Sequence, residues 1–224
     1  MPQKNSIKTY VKDGHYHIYN RGVEKRTIFK DTQDYKVFLK YLKEYLSEPP
    51  KPEEIKTIFT LQGASFKGIK RQPKNYHNRI KLMSYCLIPN HFHLLIKQSE
   101  NKIIENFMRS LATRYSMYFN KKYNRVGKLF QGHYKAVLIT KDNYLLHLSR
   151  YIHLNPSEYS DNIIDAYSSY GEYLGLRKTK WVKPGFILSF FNQVVIPEVN
   201  SYKNFVENYK KDSAEILGRL TLEA

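Results

Sequence analysis

The sequence has a single cysteine and no long apolar run, and both absences exclude whole classes of protein. Cys86 has no second cysteine to pair with, so an internal disulfide and a thiolate metal cluster are excluded. No apolar segment approaches the roughly 20 residues that a membrane-spanning helix needs. Residues 1–11 are polar and basic, without the apolar core of a secretory signal. These features predict a cytoplasmic protein that does not bind membranes.

Acidic residues are scarce relative to basic ones. The chain of 224 residues has 20 Asp+Glu against 37 Lys+Arg, a formal net charge of +17, and a pI of about 9.7. This excess favours a nucleic-acid partner, because each neutralised phosphate releases counterions. The alternative is a basic protein without a polyanionic partner. Membrane-surface binding is disfavoured, because no basic amphipathic helix stands apart from the folded pattern.

Aromatic residues are abundant, and tyrosine supplies the excess. The chain has 20 Tyr, 12 Phe and 1 Trp. Rings among basic side chains suit unpaired bases, which stack on them with about 1–3 kcal/mol per base. Most of the rings are nevertheless expected in the core or at its rim.

The spacing of apolar residues predicts an α+β fold with a central antiparallel sheet and helices on one face. Strands are expected at residues 14–20, 80–88 and 91–96, with a hairpin turn at Pro89-Asn90. Helices are expected at residues 31–46, 103–119 and 142–153, and Pro156 ends the last of them. Residues 55–61 fit a strand or a short helix, and residues 67–79 an exposed basic loop. From about residue 161 the pattern predicts a mostly helical extension.

His91 and His93 flank Phe92 on a predicted strand. Side chains alternate between the faces of a sheet, so both imidazoles are expected on the same face. Two imidazoles placed in this way can hold one divalent cation. The pattern has low specificity, because His15-Tyr16-His17 repeats it and forms a rival pair, and structural histidines are the commoner case.

Tyr151 and Asn155 share one face of the helix at residues 142–153, because they are one turn apart. Leu145, Leu148 and Ile152 form the opposing apolar stripe. A phenol is a nucleophile only when deprotonated, and its ordinary pKa is about 10. A neighbouring cation lowers the cost of that deprotonation and polarises a phosphate. The alternative is that Tyr151 is one amphipathic ring among 20 tyrosines.

Further motifs accompany these two in a fixed order. They are Pro89-Asn90-His91-Phe92-His93-Leu94-Leu95, Arg109-Ser110-Leu111, Tyr118-Phe119-Asn120, Leu129-Phe130-Gln131-Gly132, Asp142 with Tyr144-Leu145-Leu146, and Arg150 to Pro156. The ordered set, over roughly residues 10 to 176, resembles the REP-associated tyrosine transposases. These form an insertion-sequence-200-like, single-tyrosine branch of the His-hydrophobe-His nucleases.

The resemblance implies a ferredoxin-like sandwich, related to the RNA-recognition topology, with a catalytic domain at residues 1–160 and a C-terminal helical extension at residues 161–224. It implies an endonuclease that cleaves and rejoins single-stranded or hairpin-associated DNA through a 5′-phosphotyrosine. The family includes dimers and apparent monomers, so a homodimer is one expected assembly.

The resemblance also implies roles for individual residues. His91 and His93 are the expected ligands of Mg²⁺ or Mn²⁺, Asn155 assists them, and Tyr151 is the expected nucleophile. Tyr144 is the alternative nucleophile, and His147 is an alternative ligand one turn from Tyr151.

Two basic clusters are candidates for contact with the DNA backbone. The first follows a predicted helix into the next loop and comprises Arg109, Arg114, Lys121, Lys122, Arg125 and Lys128. The second comprises Arg21, Lys25 and Arg26. A solvated protein surface is the alternative interpretation for the first cluster.

Two other functions use the same fold. One is a catalytically inactive protein that binds hairpin DNA or RNA or has a regulatory role, since fold alone does not give function. The other is a metal-dependent phosphodiesterase that uses water and does not need Tyr151. The presence of His91, His93 and Tyr151 together favours the transposase, and a covalent DNA–protein adduct distinguishes it from both alternatives.

Overall fold

Six strands and six helices occur in the computed structural model, which describes residues 9–191 and 201–208. The strands are β1 (His15–Arg21), β2 (Lys56–Leu61), β3 (Ala64–Ile69), β4 (Ile80–Ile88), β5 (His91–Gln98) and β6 (Lys135–Ile139). The helices are α1 (Thr32–Leu46), α2 (Ile103–Lys122), α3 (Asp142–Leu154), α4 (Tyr170–Tyr173), α5 (Gly185–Ser189) and α6 (Tyr202–Glu207). Within these ranges, no helix combines the length and apolar character needed to cross a membrane.

The central sheet has the strand order β4-β5-β1-β6, and every neighbouring pair is antiparallel. α1 leads from β1 to β4, which run in the same direction with β5 between them. α2 leads from β5 to β6 in the same manner, around β1. This β-α-β-β-α-β arrangement is the ferredoxin-like one. The predicted α+β class with a central antiparallel sheet is therefore confirmed.

Helices cover both faces of this sheet. On one face, α1 and α2 pack through Phe38, Leu42 and Phe107. On the other face, α3 packs through Leu148 and Ile152, in one apolar cluster with residues of α4, α5 and α6. The prediction of helices on one face holds for α1 and α2 but not for α3, which packs on the other face together with the C-terminal segment. The domain division at residue 160 stays a prediction, and residues 192–200 and 209–224 of the extension lie outside the described residues.

β2 and β3 form a separate hairpin between α1 and β4. The exposed-loop prediction for residues 67–79 is wrong at residues 67–69, which belong to β3. The turn residues Gln62 and Gly63 both have positive φ (48° and 82°), as a tight two-residue hairpin requires. Across the strands, Phe59 stacks on Phe66 with ring centroids 5.6 Å apart, and such cross-strand pairs stabilise a sheet.

A buried carboxylate joins α1 to the end of α2. Asp34 is fully buried and accepts hydrogen bonds from Lys122 Nζ (2.8 Å), Tyr118 (2.9 Å), Tyr123 (2.8 Å) and the backbone N–H of Lys30 (2.8 Å). Burial raises the pKa of Asp34, but these donors outweigh the effect and hold the pKa below its usual value. The carboxylate is therefore ionised and fully paired at neutral pH.

Asp34→Ala should lower the free energy of unfolding by about 3 kcal/mol, because it leaves the Lys122 ammonium and two tyrosine hydroxyls without their shared acceptor. Asp31→Ala is the matched control. Asp31 also pairs with Lys122, at 2.7 Å, but its side chain is 51% exposed. Its loss should lower the free energy of unfolding by much less, because it removes only an exposed helix N-cap and an exposed ion pair. Urea denaturation followed by circular dichroism measures both values, and equal losses in the two variants would contradict the assignment.

Candidate active site

The register of β1 against β5 gathers several polar side chains on one face of the sheet. His93 lies opposite Tyr19, and His91 lies opposite Arg21. Alternation along β1 places His17 on this face as well. The ring centroids of His91 and His93 are 4.9 Å apart, and those of His17 and His93 are 5.0 Å apart. The two imidazoles predicted as a pair therefore lie together, at the end of the sheet where β5 begins.

His17 and His93 form a hydrogen bond in the protein interior. Nε2 of His17 lies 2.8 Å from Nδ1 of His93, and both side chains are fully buried. Nε2 of His93 is also buried and has no hydrogen-bond partner among the described residues. A proton held on Nδ1 of His93 leaves a lone pair on Nε2, which is the form in which an imidazole binds a metal.

The rival pair His15 and His17 is divided between two places. His17 joins His93, whereas His15 stacks on Phe186 with ring centroids 5.5 Å apart. Two residues along a strand span about 7 Å, so His15 lies further toward the opposite end of the sheet. The second His-X-His motif therefore contributes one histidine to the cluster.

α3 brings Tyr151 to this cluster. Its apolar side packs on the sheet through Leu148 and Ile152. The ring of Tyr151 meets His93 edge-on, with centroids 5.4 Å apart and planes at 84°, and it meets His17 at 6.3 Å and 80°. The predicted convergence of a distant phenol and the strand histidines is therefore present in the structure.

Asn155 follows Tyr151 by one turn, as the spacing predicts, since its backbone N–H donates to the carbonyl of Tyr151. Pro156 ends the α-helix, but the chain continues as a short 3-10 turn over Asn155–Glu158. This continuation keeps Asn155 beside the sheet, close enough to His91 for its side chain to raise the pKa of that imidazole. Its Oδ1 atom is buried and has no hydrogen-bond partner within the described residues.

Both candidate ligand imidazoles are electrically neutral near pH 7. Burial lowers the pKa of His91 to about 4, with a further contribution from Arg21, and Asn155 offsets part of this effect. Burial, together with His17 and His91, lowers the pKa of His93 well below its ordinary value. Nδ1 of His91 donates to Oδ1 of Asn90 at 2.6 Å, which leaves Nε2 of His91 with a lone pair.

The donors at this site fit a divalent cation only in part. Two neutral imidazoles suit transition metals, and an amide oxygen suits Mg²⁺ or Mn²⁺. Two atoms in this set, Nε2 of His93 and Oδ1 of Asn155, are buried without a hydrogen-bond partner in the described ranges, as expected for groups that bind an ion. In the same ranges no group of three or more His, Cys, Asp or Glu side chains is arranged to hold a metal. A cation here would therefore need water or phosphate oxygens to complete its coordination.

The alternative nucleophile and the alternative ligand lie elsewhere on α3. Tyr144 precedes Tyr151 by two turns, about 10 Å along the helix axis. His147 accepts a hydrogen bond from Arg150 at 2.7 Å and packs against Phe205 of α6 at 5.9 Å. The structure therefore brings Tyr151, rather than Tyr144 or His147, to the histidines.

The buried side of α3 is fixed by a second histidine network. His153 is fully buried, with Nδ1 2.7 Å from the hydroxyl of Tyr202 and Nε2 2.8 Å from Oγ of Ser169. Burial lowers the pKa of His153 to about 3, so the ring is neutral. Tyr202 also donates to Ser149 at 3.0 Å. The helix that carries Tyr151 is thus joined to α6 and to the segment before α4.

Two of the predicted DNA-binding residues are used inside the protein. Arg114 forms an ion pair with Glu44 at 2.5 Å and lies over the ring of Tyr41 at 3.9 Å. Lys122 belongs to the buried Asp34 cluster. Both residues stabilise the packing of α1 against α2, so they are not part of a free basic surface.

The other four predicted residues are at least partly accessible. Arg109 forms an exposed ion pair with Glu105 at 3.1 Å. Arg125 donates to Asn120 at 3.0 Å, and Lys121 and Lys128 are exposed. α2 runs back along the sheet from the end of β5, so Lys121 and Lys128 lie at the same end as His91. DNA contact by these residues stays a prediction.

The sequence analysis did not include Tyr19 and Lys135 in the site. The Tyr19 ring lies 4.8 Å from His17 and 5.8 Å from His93, and Lys135 lies opposite Tyr19 on β6. Arg21, assigned to a basic cluster, donates to Gln131 at 2.5 Å at the same end of the sheet. Alternation along β1 indicates that His17, Tyr19 and Arg21 share one face of the sheet. Their positions beside His93 and Lys135 depend on the pairing of β1 with β5 and β6, which the sequence alone does not show.

The pKa of His91 gives a direct test of this geometry. At pH 6.5, the ordinary midpoint of a histidine, His91 should still be neutral, and it should gain its second ring proton only near pH 4. ¹⁵N NMR of the imidazole in metal-free protein measures this midpoint, with the urea-unfolded chain as the reference. A midpoint in the folded protein at or above that of the unfolded chain would show that burial does not desolvate His91.

Comparison with known proteins gives a match to a family and to several solved structures. Residues 65–155 match the family described as Transposase IS200 like. No curated protein matches the chain. A solved structure of a REP-associated tyrosine transposase bound to a REP hairpin is 12% identical with a TM-score of 0.49, and the match covers 79% of this chain and 95% of that one. A protein assigned as a transposase from Deinococcus radiodurans is 12% identical with a TM-score of 0.36, covering 68% and 95%.

The family match extends from β3 to the end of α3 and includes the four residues His91, His93, Tyr151 and Asn155. These are the residues that the strand register and α3 bring together on one face of the sheet. The part of the chain that resembles the IS200-like transposase family, residues 65–155, is therefore the part that contains the candidate active site.

Proposed function

We propose that the chain is a transposase-type endonuclease that cleaves and rejoins single-stranded DNA beside a hairpin, through a 5′-phosphotyrosine on Tyr151. The observation that supports this most directly is the edge-on contact of Tyr151 with His93, at 5.4 Å between ring centroids. It lies within the part of the chain that matches the transposase family. The net charge of +17 supports a polyanionic substrate.

The proposed cofactor is Mg²⁺ or Mn²⁺, held by His91, His93 and Asn155. When bound, such a cation would stabilise the charge that develops on the oxygens of the scissile phosphate. His17 has a positioning role in this proposal, because its hydrogen bond to Nδ1 orients the His93 ring and directs Nε2 outward from the pair. Partners of this kind commonly tune metal affinity.

Tyr151 carries the covalent step. Its phenolic oxygen bonds to phosphorus and loses its proton, while the bond from phosphorus to the 3′ oxygen breaks and that oxygen takes up a proton. A 3′-hydroxyl of a second strand then attacks the phosphotyrosine, which restores the phenol and forms a new phosphodiester. One ester replaces another at each step, so no external energy source is needed. An unpaired strand beside a hairpin is the expected substrate, as the resemblance to the single-tyrosine transposases implies.

Arg21 and Lys135 are proposed to add positive charge beside the scissile phosphate. Both lie on strands next to Tyr19 or His91, on the face that α3 covers. Arginine and lysine in such positions bind phosphate oxygens and hold the strand in register. A homodimer, which the family resemblance allows, stays a prediction.

Tyr151→Phe should abolish a covalent adduct, because it removes only the nucleophilic oxygen. The native protein, incubated with labelled single-stranded hairpin DNA and Mn²⁺, should give a protein–DNA band that survives denaturing electrophoresis. Tyr144→Phe is the matched control on the same helix and should retain the adduct.

Each alternative function predicts a different result in this assay. Survival of the adduct in Tyr151→Phe would assign the nucleophile elsewhere. Cleavage without an adduct in the native protein would indicate a phosphodiesterase that uses water. Binding without cleavage would indicate a DNA-binding or regulatory protein.

Metal affinity tests the role of His17 separately from catalysis. Isothermal titration with Mn²⁺ should show that His91→Ala loses binding and that His17→Leu weakens it by about 10–100-fold. His17→Gln retains a hydrogen-bonding group and should lose less. His77→Ala, outside the cluster, controls for loss of a histidine. Native-like affinity in His17→Leu, with an unchanged melting curve, would remove His17 from the proposal.

A further inference from the structure

A cleft with three lysines lies at the other end of the sheet face that carries His93. Lys81, Lys97 and Lys183 line it together with His15 and Phe186, and it encloses about 480 Å³. Lys97 pairs in register with Lys81 on β4 and with His15 on β1. Lys97 and His91 are six residues apart on β5, which corresponds to about 20 Å. The cleft is therefore separate from the candidate active site.

The cleft carries a net positive charge. None of its three lysines forms an ion pair with the residues that the structure describes. The carboxylates that interact with the neighbouring His15 are Asp13 and Asp142, so the lysines outnumber them. Lys81 and Lys183 are exposed. Unpaired ammonium groups on both walls of a cleft suit the phosphates of a nucleic-acid strand.

Two exposed phenylalanines stand at the edge of the cleft. Phe186 is 46% exposed and Phe190 is 37% exposed. The Phe186 ring stacks on His15, with planes at 19°, and meets Phe190 edge-on with centroids 5.4 Å apart. These contacts hold the Phe186 ring in place while nearly half of its surface stays in solvent. A fixed, exposed ring among unpaired lysines is the arrangement on which unpaired bases stack.

We propose that this cleft is a second contact site for unpaired DNA, in which Lys81, Lys97 and Lys183 bind backbone phosphates and Phe186 stacks on a base. The proposal rests on the proposed function, because it says where the substrate strand is held away from the cleavage site. The volume of this open cleft, about 480 Å³, is in the range of small-ligand sites and suits a single nucleotide unit rather than a duplex. Stacking and charge do not read a base sequence, so the site should bind strands with little sequence preference.

Fluorescence anisotropy with labelled oligothymidine, in EDTA, tests this site without any contribution from cleavage. The triple variant Lys81→Ala, Lys97→Ala, Lys183→Ala should weaken binding at least about tenfold and reduce the dependence of affinity on salt. The triple variant Lys36→Ala, Lys40→Ala, Lys43→Ala removes the same charge from exposed positions of α1, on the opposite sheet face, and should change binding far less. Phe186→Ala should weaken binding by about tenfold without changing the salt dependence.

Several outcomes would overturn the proposal. One is equal loss of affinity in the two lysine variants, which would mean that net charge alone drives binding. Another is native affinity in Phe186→Ala, and a third is equally effective competition by oligoglutamate, which would indicate an acidic protein partner. Failure of the cleavage proposal is distinguishable, because the Tyr151 adduct assay uses a different residue and a different readout.

Discussion

β1 runs between β5 and β6, and its backbone hydrogen bonds decide which side chains can meet at the candidate active site. The antiparallel register sets Tyr19 against His93 and Arg21 against His91. It also sets Lys135 beside Tyr19 from the other side. A shift of β1 by one residue would turn Tyr19 and Arg21 to the face opposite that of His91 and His93. The hydrogen bond between His17 and His93 follows from this register.

The second requirement is that a helix closes over the histidines. The ring of Tyr151 on α3 contacts the buried ring of His93, and burial keeps both His91 and His93 unprotonated near pH 7, with their lone pairs available. The same packing presents the phenol of Tyr151 edge-on to the buried ring. Because the fold already holds these side chains in place, a substrate that binds here should cause little reorganisation.

Local periodicity predicted the parts of the site that depend on local geometry. The alternation at His91 and His93 and the one-turn spacing of Tyr151 and Asn155 are both present, because strands and helices repeat with fixed periods. The choice of His17 over His15 depends on strand pairing, which one sequence does not reveal. Arg114 and Lys122 are paired with Glu44 and Asp34 on another helix, so a list of basic residues along the chain could not distinguish them from a free surface.

The hydrogen-bond network of His153 on the buried side of α3 limits how the sequence of this protein can evolve. His153 and Ser149 project from the helix of Tyr151 toward Tyr202 of α6, beyond the predicted end of the catalytic domain. The C-terminal segment therefore forms part of the rigid support that aims the phenol. If this segment were exchanged between related chains, the face of α3 that contacts it would have to be exchanged as well. We therefore expect α3 and the C-terminal segment to evolve together.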